Sequence, residues 1–357
     1  MRITFVLPVL EVSGGARIVA GHAQRLSAKG HEVLIVVPAP PRRGLKERAK
    51  ILLRLSPTPV PIAQSHVVLA GVPFHITSRY DLIEPCDVPD ADVIIATWWE
   101  TAEWVWAMPP TKGAKVHFIQ GYDAFSGIQS DRVEAVWRLP FAKIAVSQWL
   151  VDLAREQFGI EQVALVPNSV DHHLFSALPR NKGNPATVGF LFHPGSFKDM
   201  PATLTALKML SERVPETRFI CFGGSKPTPG GMPANIEFHY LPTQEEIAKI
   251  YMRCDAWLST SRREGFNLPP LEAMASGCPA VCAKTGRPLE IINDGVNGYL
   301  VEQGDIDGFA GALASIVSLP QREWRSMSNA AAAAVAHPTW EESSSLFEVA
   351  LVQSTIQ

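Results

Sequence analysis

Apolar runs of four to eight residues alternate along this chain with amphipathic stretches of helical length. That rhythm belongs to a parallel sheet covered on both faces by helices, because strands buried on both sides lose the in-and-out alternation of a half-exposed sheet. In the first half the pattern predicts strands at Ile3–Pro8, Glu32–Val37, Val93–Ala96, Val116–Ile119 and Lys143–Val146. It also predicts a helix from about Arg17 to Lys29, closed by Gly30. This half ends near Val163–Pro167. A second set of strands begins at Val188–Phe192 and continues at Arg218–Phe222, Ile236–Tyr240, Ala256–Ser259, Ala280–Ala283 and Gly298–Leu300. Between the sets lies Pro167-Asn168-Ser169-Val170-Asp171, turn-forming residues where a hinge breaks no element. An Ala-rich stretch follows, interrupted at Pro338, and then a helix-compatible segment Thr339–Val352. The expectation is an α/β chain of two domains, 1–167 and 168–338, which suits its 357 residues.

Composition narrows the function classes. With 46% hydrophobic residues but no run of about 18 of them, a membrane span is excluded. Lys and Arg number 32 against 35 Asp and Glu, so no basic excess points to nucleic acid. The five cysteines are scattered, with no CxxC pair, as expected of free thiols in a reducing cytosol. The first ten residues carry one positive charge and an apolar stretch broken by Pro8, too short for a signal peptide. One segment departs from the rest: in 42–55, Arg42, Arg43, Lys46, Arg48, Lys50 and Arg54 interleave with leucines and Ile51 beside a single acid, Glu47. A solvated surface helix is the favoured reading. Peripheral contact with an anionic membrane, or with a phosphorylated lipid acceptor at the inner face, is the other.

The chemistry concentrates in Ser259–Gly277. There a strand runs into a turn through Gly265, and a helix starts at Pro269-Pro270, where proline's fixed φ suits the first helical turn. A helix N-terminus facing the carboxyl end of a strand suits an anion such as a diphosphate. Glu264 in the loop and Glu272 about one turn inside the helix can point into one crevice. The plainer alternatives are that Glu272 caps the helix and that Glu264 pairs with Arg262 or Arg263.

The segment Glu264–Gly277, followed by Pro279-Ala280-Val281, Glu290-Ile291-Ile292 and Gly295–Val301, closely resembles the donor-binding half of glycosyltransferase family 4. Further matches are Gly14-Gly15, Gly30-His31-Glu32-Val33, Pro167–Asp171 and Trp340-Glu341. The resemblance implies the GT-B fold, two Rossmann-like domains facing across a cleft, with the final helix, 339–357, crossing back to the first. It implies retaining transfer of a sugar from a nucleotide diphosphate sugar to a glycan, lipid-linked or small-molecule acceptor, without cofactor or required metal, as in cell-surface polysaccharide or glycoconjugate synthesis. Glu264 then contacts the donor sugar, Glu272 the ribose, and Lys198 the diphosphate. Backbone amides of Phe266, Asn267 and Leu268 reach the sugar and phosphates, with Gly265 and Arg263 in the same loop. The family places an arginine five residues before the lysine, where this chain has His193. It often places a histidine where this chain has Gln120, in Gln120-Gly121-Tyr122-Asp123. Glutamine cannot shuttle a proton but can bond a sugar hydroxyl.

Gly14 and Gly15 let backbone approach the donor or acceptor, though a full GxGxxG is absent, against a dinucleotide dehydrogenase. Thr97-Trp98-Trp99-Glu100-Thr101, with Trp104 and Trp106, offers aromatic faces for a sugar, with core packing the expected task of half of them. With Phe118-Ile119-Gln120, the stretch Ala96–Trp99 looks similar to a rhamnosyltransferase-like branch, which implies a deoxyhexose donor as one option. His117, His172-His173 and the Asp-x-Asp pairs Asp90/Asp92 and Asp305/Asp307 lack the spacing or setting of a metal site. The rival readings are a nucleotide-sugar epimerase on the same frame and an inactive nucleotide-sugar-binding protein.

Overall fold

A computed structural model describes residues 1–40, 62–122, 130–228 and 231–356. They divide into two compact units, Met1–Asn168 with Glu341–Gln357, and Ser169–Trp340. The basic stretch 42–55 and Asp123 lie outside the described residues.

In the first unit β1 (Arg2–Val6), β2 (Glu32–Val37), β3 (Phe74–Ile76), β4 (Val93–Ala96), β5 (Ala114–Ile119), β6 (Ala142–Ala145) and β7 (Val163–Leu165) form one sheet. Its order is β3-β2-β1-β4-β5-β6-β7, parallel throughout. The unbroken apolar runs are explained by the interior: every residue of β4 is buried. The helices are α1 (Gly14–Ala28), α2 (His66–Leu69), α3 (Trp99–Trp106), α4 (Ser130–Arg138) and α5 (Gln148–Phe158). Two strands, β3 and β7, are additions to the expected set. Each has three residues, too few to show a period, and β3 is an edge strand with exposed Phe74 and His75. The first helix also starts earlier than expected. Ser13 accepts a hydrogen bond from the Ala16 N–H at 3.2 Å and caps α1, so Gly14 and Gly15 are its first two residues.

In the second unit β8 (Thr187–Leu191), β9 (Arg218–Gly223), β10 (Ile236–Tyr240), β11 (Ala256–Ser259), β12 (Ala280–Ala283) and β13 (Gly298–Val301) pair in the order β10-β9-β8-β11-β12-β13, again all parallel. Its helices are α6 (Met200–Arg213), α7 (Gln244–Arg253), α8 (Leu268–Ala275), α9 (Pro288–Ile291), α10 (Ile306–Ser318) and α11 (Gln321–Ala334). Val188, Phe190, Leu207, Leu258, Val281 and Phe309 pack the core between the sheet and α6 and α10.

The last helix, α12 (Trp340–Ser354), returns to the first unit. Phe347 is fully buried against Phe5, His22 and Phe118, with ring centroids 6.1, 4.4 and 4.9 Å away. Glu348 pairs with Lys29 at 2.7 Å and His31 at 2.9 Å. In each unit the strand order reverses beside the first strand, between β1 and β4 and between β8 and β11. Outside the carboxyl ends of strands at such a reversal, doubly wound sheets bind their ligands. Among the described residues no helix is long and apolar enough to cross a membrane.

Candidate functional site

At the reversal in the second sheet, two loops are laced together. The chain leaving β8 makes a short turn at Ser196–Lys198, and Asp199, at φ 50°, caps α6 by accepting from the Ala202 N–H at 3.4 Å. From the end of β11 the Thr260 hydroxyl lies 3.1 Å from the Asp199 carbonyl and 2.6 Å from the Thr203 hydroxyl. The Arg262 N–H donates to the Phe197 carbonyl at 2.8 Å, and its guanidinium pairs with Asp199 at 2.6 Å. This lacing sets Lys198 Nζ 2.5 Å from Glu264 Oε1, both nearly enclosed. Of the expected alternatives for Glu264, a pair with Arg262 or with Arg263, the first is corrected: Arg262 is taken by Asp199, and Lys198 holds the carboxylate.

The Glu264 loop is buttressed from beyond β12. Thr285 Oγ1 accepts from the Glu264 N–H at 3.2 Å, and the Phe266 carbonyl accepts from Arg287 N–H at 2.9 Å. Between them Gly286 sits at φ +67°, where a Cβ would lie 2.9 Å from the Phe266 carbonyl oxygen. Asn267 also takes a left-handed conformation, φ 71°, held by its Nδ2 donating to Ser259 Oγ at 3.0 Å. Helix α8 starts at Leu268, and because Pro269 and Pro270 carry no N–H, Leu268 is the one amide donor among its first three residues. Lys198, Thr203, Ser259, Thr260, Asn267 and Pro269 line a polar pocket here. Gly265 and Arg263 lie in the same loop, with Arg263 exposed.

Glu272 does not cap α8. It is 4% exposed and accepts a hydrogen bond from the Tyr251 hydroxyl at 3.0 Å, as a buried carboxylate requires. Tyr251 is itself fully buried, its ring 4.7 Å from Trp257 and 5.7 Å from Phe175. His193 is half-buried, and its Nδ1 accepts from the Gly195 N–H at 3.0 Å. Burial first, and the nearby Lys198 second, lower its pKa, so the ring is neutral with its proton on Nε2. It offers the site a donor without a charge.

In the first unit the corresponding reversal brings Gly15 against Gln120: a Cβ on Gly15 would lie 3.5 Å from Gln120 Oε1. Gln120 joins Thr97, Trp98, Trp99, His117 and Trp137 around a small pocket. Of the other candidates, Trp106 is capped by Lys115 at 5.0 Å, and Asp90 and Asp92 are spent on Lys112 and Arg2. Asp305 caps α10 through the Gly308 N–H at 2.8 Å, and Asp307 pairs with Arg213. Among the described residues no three His, Cys, Asp or Glu side chains cluster as a metal site would need.

Asp199, Tyr251, Thr285 and Gly286 were not marked by the sequence. Their partners stand far along the chain, as with Tyr251 and Glu272, 21 residues apart, and only the fold brings them together.

Comparison with known proteins fits this arrangement. The family model for glycosyltransferase family 4 matches residues 12–174, and that for glycosyl transferases group 1 matches residues 196–333. The D-inositol 3-phosphate glycosyltransferase of Mycobacterium avium is 33% identical over 111 residues, 31% of this chain and 26% of that one. The N-acetyl-alpha-D-glucosaminyl L-malate synthase of Bacillus anthracis is 39% identical over 71 residues, 20% of this chain and 19% of that one. The matched stretch spans about a quarter of the length of the first of these relatives. In structure, the chain resembles HepE of Anabaena in complex with UDP-glucose, with TM-score 0.75 and 16% identity over 98% of this chain and 99% of that one. It also resembles the sucrose-phosphate synthase of Thermosynechococcus elongatus, with TM-score 0.73 and 16% identity over 99% and 98%. Both likenesses identify the fold as GT-B.

Proposed function

The chain belongs to glycosyltransferase family 4, and from that premise we propose that it moves a sugar from a nucleotide diphosphate sugar, held by its second unit, to a hydroxyl acceptor held by its first. The observation that carries this reading is the Lys198–Glu264 pair, set 2.5 Å apart beside the polar pocket at the start of α8. A cation and a carboxylate in contact hold each other in place. Once a diphosphate takes the ammonium, Glu264 is released to the hydroxyls of the attached sugar.

In this reading Lys198 stabilises the charge that grows on the departing diphosphate. The amides of Phe266, Asn267 and Leu268 at the start of α8 add to that field. Glu272, anchored by Tyr251, binds the ribose, and His193 contributes a neutral Nε2–H where relatives place an arginine. Gln120, beside Gly14 and Gly15, bonds a sugar hydroxyl and moves no proton. Transfer with retention of configuration belongs to the same reading, as does a role in glycan or glycoconjugate synthesis. UDP-sugars are the first donors to try, since the HepE structure carries UDP-glucose.

The test is product analysis with nucleotide sugars and an acceptor panel, on the wild type and on Glu264→Gln. The expected result is glycosyl transfer, or donor hydrolysis without acceptor, reduced at least tenfold in the variant while folding is unchanged. Equal activity of the two proteins would remove Glu264 from the mechanism.

A further inference from the structure

Arg262 follows Thr260 and Ser261, two of the residues that line the Lys198 pocket, and stands two positions before Glu264. Its side chain is 61% exposed, and a guanidinium so placed has the chemistry of a phosphate ligand. Its partner gives it another task.

Asp199, the residue after Lys198, is 6% exposed, and its two carboxylate oxygens are engaged separately. Oδ1 accepts from the Ala202 N–H at 3.4 Å, and Oδ2 lies 2.6 Å from Arg262 Nε. The capping bond is long, so the ion pair is the main compensation for a carboxylate this far from water. Asp199 is also one of four non-glycine residues with a left-handed backbone among the described residues, at φ 50°. A side chain fixed at both oxygens keeps that conformation, and with it the turn that aims Lys198.

The main chain of Arg262 is held at both ends. Its N–H donates to the Phe197 carbonyl at 2.8 Å, and its carbonyl accepts from Gln303 Nε2 at 2.8 Å. Only the guanidinium is able to leave, and leaving would strand a buried carboxylate. The charges around the turn decide what that means for an anion. Lys198 and Glu264 cancel, as do Asp199 and Arg262. Without Arg262, an uncompensated negative charge would sit on the residue next to the ammonium that a diphosphate must reach, and like charges repel strongly in a partly desolvated site.

We propose that Arg262 is a positioning residue that does not touch the donor: it acts through Asp199, cancelling that carboxylate and holding the turn that presents Lys198. The assignment rests on the nucleotide-sugar reading of this corner and supplies the source of its charge balance. Arg262 then does not stand in for the arginine that relatives place where this chain has His193.

Calorimetric titration of the wild type, Arg262→Met, Asp199→Asn and the double variant with UDP, GDP, ADP and dTDP tests this. Arg262→Met should raise the Kd of whichever diphosphate binds about tenfold, since the carboxylate is left uncompensated. Asn keeps the capping oxygen, tolerates the left-handed backbone and carries no charge. Adding Asp199→Asn to Arg262→Met should therefore return the Kd to within about threefold of the wild type. A guanidinium that bound the diphosphate itself would give no such rescue, and neither would one that only held the fold. Asp199→Asn alone should bind no more weakly than the wild type, which reports on the charge even where Arg262→Met is unstable. The assignment fails if Arg262→Met binds as the wild type does, if the double variant binds as weakly as Arg262→Met, or if Asp199→Asn alone weakens binding about tenfold. In each of these cases wild-type binding keeps the donor reading. Binding of none of the four nucleotides by the wild type would remove that reading, and this assignment with it.

Discussion

Both units wind a parallel sheet about a strand reversal, yet the loops at the two reversals carry opposite chemistry. In the second unit they bring Lys198, Asp199, Arg262 and Glu264 into two ion pairs, with buried Glu272 nearby in α8. In the first they bring together indoles, a carboxamide and a neutral imidazole. The framework decides where a ligand can sit, and the loop residues decide which. A diphosphate asks for cations and free amides, whereas a hydroxyl-bearing ring asks for a stacking face and uncharged partners.

The contrast extends inward. The first unit buries His22 and His117, each with its pKa pushed down to about 3 by burial. The second buries Cys221, Cys254, Cys278 and Cys282, whose thiols burial holds protonated.

The largest effect expected from this contrast is catalytic. Lys198→Ala should lower kcat by about 100- to 1000-fold, the usual loss when a charge-stabilising group is removed, while Gln120→Ala should cost about tenfold or less. Steady-state kinetics at saturating donor reads both, and equal losses would erase the distinction between the two sites.

Next in size is acid lability. For His22 and His117 the unfolded pKa is about 6.5 and the folded value far lower, so between them the unfolded chain binds more protons. Their contribution is therefore complete above about pH 6.5 and is lost as pH falls toward 3, at up to about 1.4 kcal/mol per pH unit for each. Hydrogen exchange, corrected for intrinsic rates, should show amides of β1, β5 and α12 losing protection between pH 6.5 and 5 before those of β8, β11 and β12. Simultaneous loss would contradict the assignment.

A smaller effect is expected at Tyr251. Tyr251→Phe removes the hydroxyl that anchors Glu272, and should raise the Kd of a nucleoside diphosphate about tenfold. The penalty should vanish for the 2′,3′-dideoxy analogue if Glu272 reads the ribose. A penalty equal for both nucleotides would make Tyr251 a packing residue only. Smallest in its effect on activity, Gly286→Ala forces a side chain into a left-handed position against the Phe266 carbonyl and should give a several-fold loss of turnover, with a stability cost of about 1–2 kcal/mol; unchanged kinetics would mean the Glu264 loop does not depend on that turn.

How much of this is visible in the sequence depends on range. The β11-to-α8 corner could be read because its signals are local: a buried strand, Gly265, a proline pair and two glutamates within 19 residues, Ser259–Gly277. Most strands of both sheets could be read for the same reason, their apolar runs being contiguous. The three-residue strands β3 and β7 could not, since so short a run has no period. The partner of Glu264 was also out of reach, because Lys198 stands 66 residues away, and only the pairing of β8 with β11 brings them together. The neutrality of His117 depends on burial, which no local pattern reports.

The central claim is that the charged corner of the second unit grips a nucleoside diphosphate. Isothermal titration calorimetry of the intact chain with UDP, GDP, ADP and dTDP tests it most directly, beside Lys198→Ala and Glu272→Gln. The account predicts saturable one-site binding of at least one of the four, weakened at least tenfold in both variants. Binding of none of them, or binding that both variants leave untouched, would contradict it.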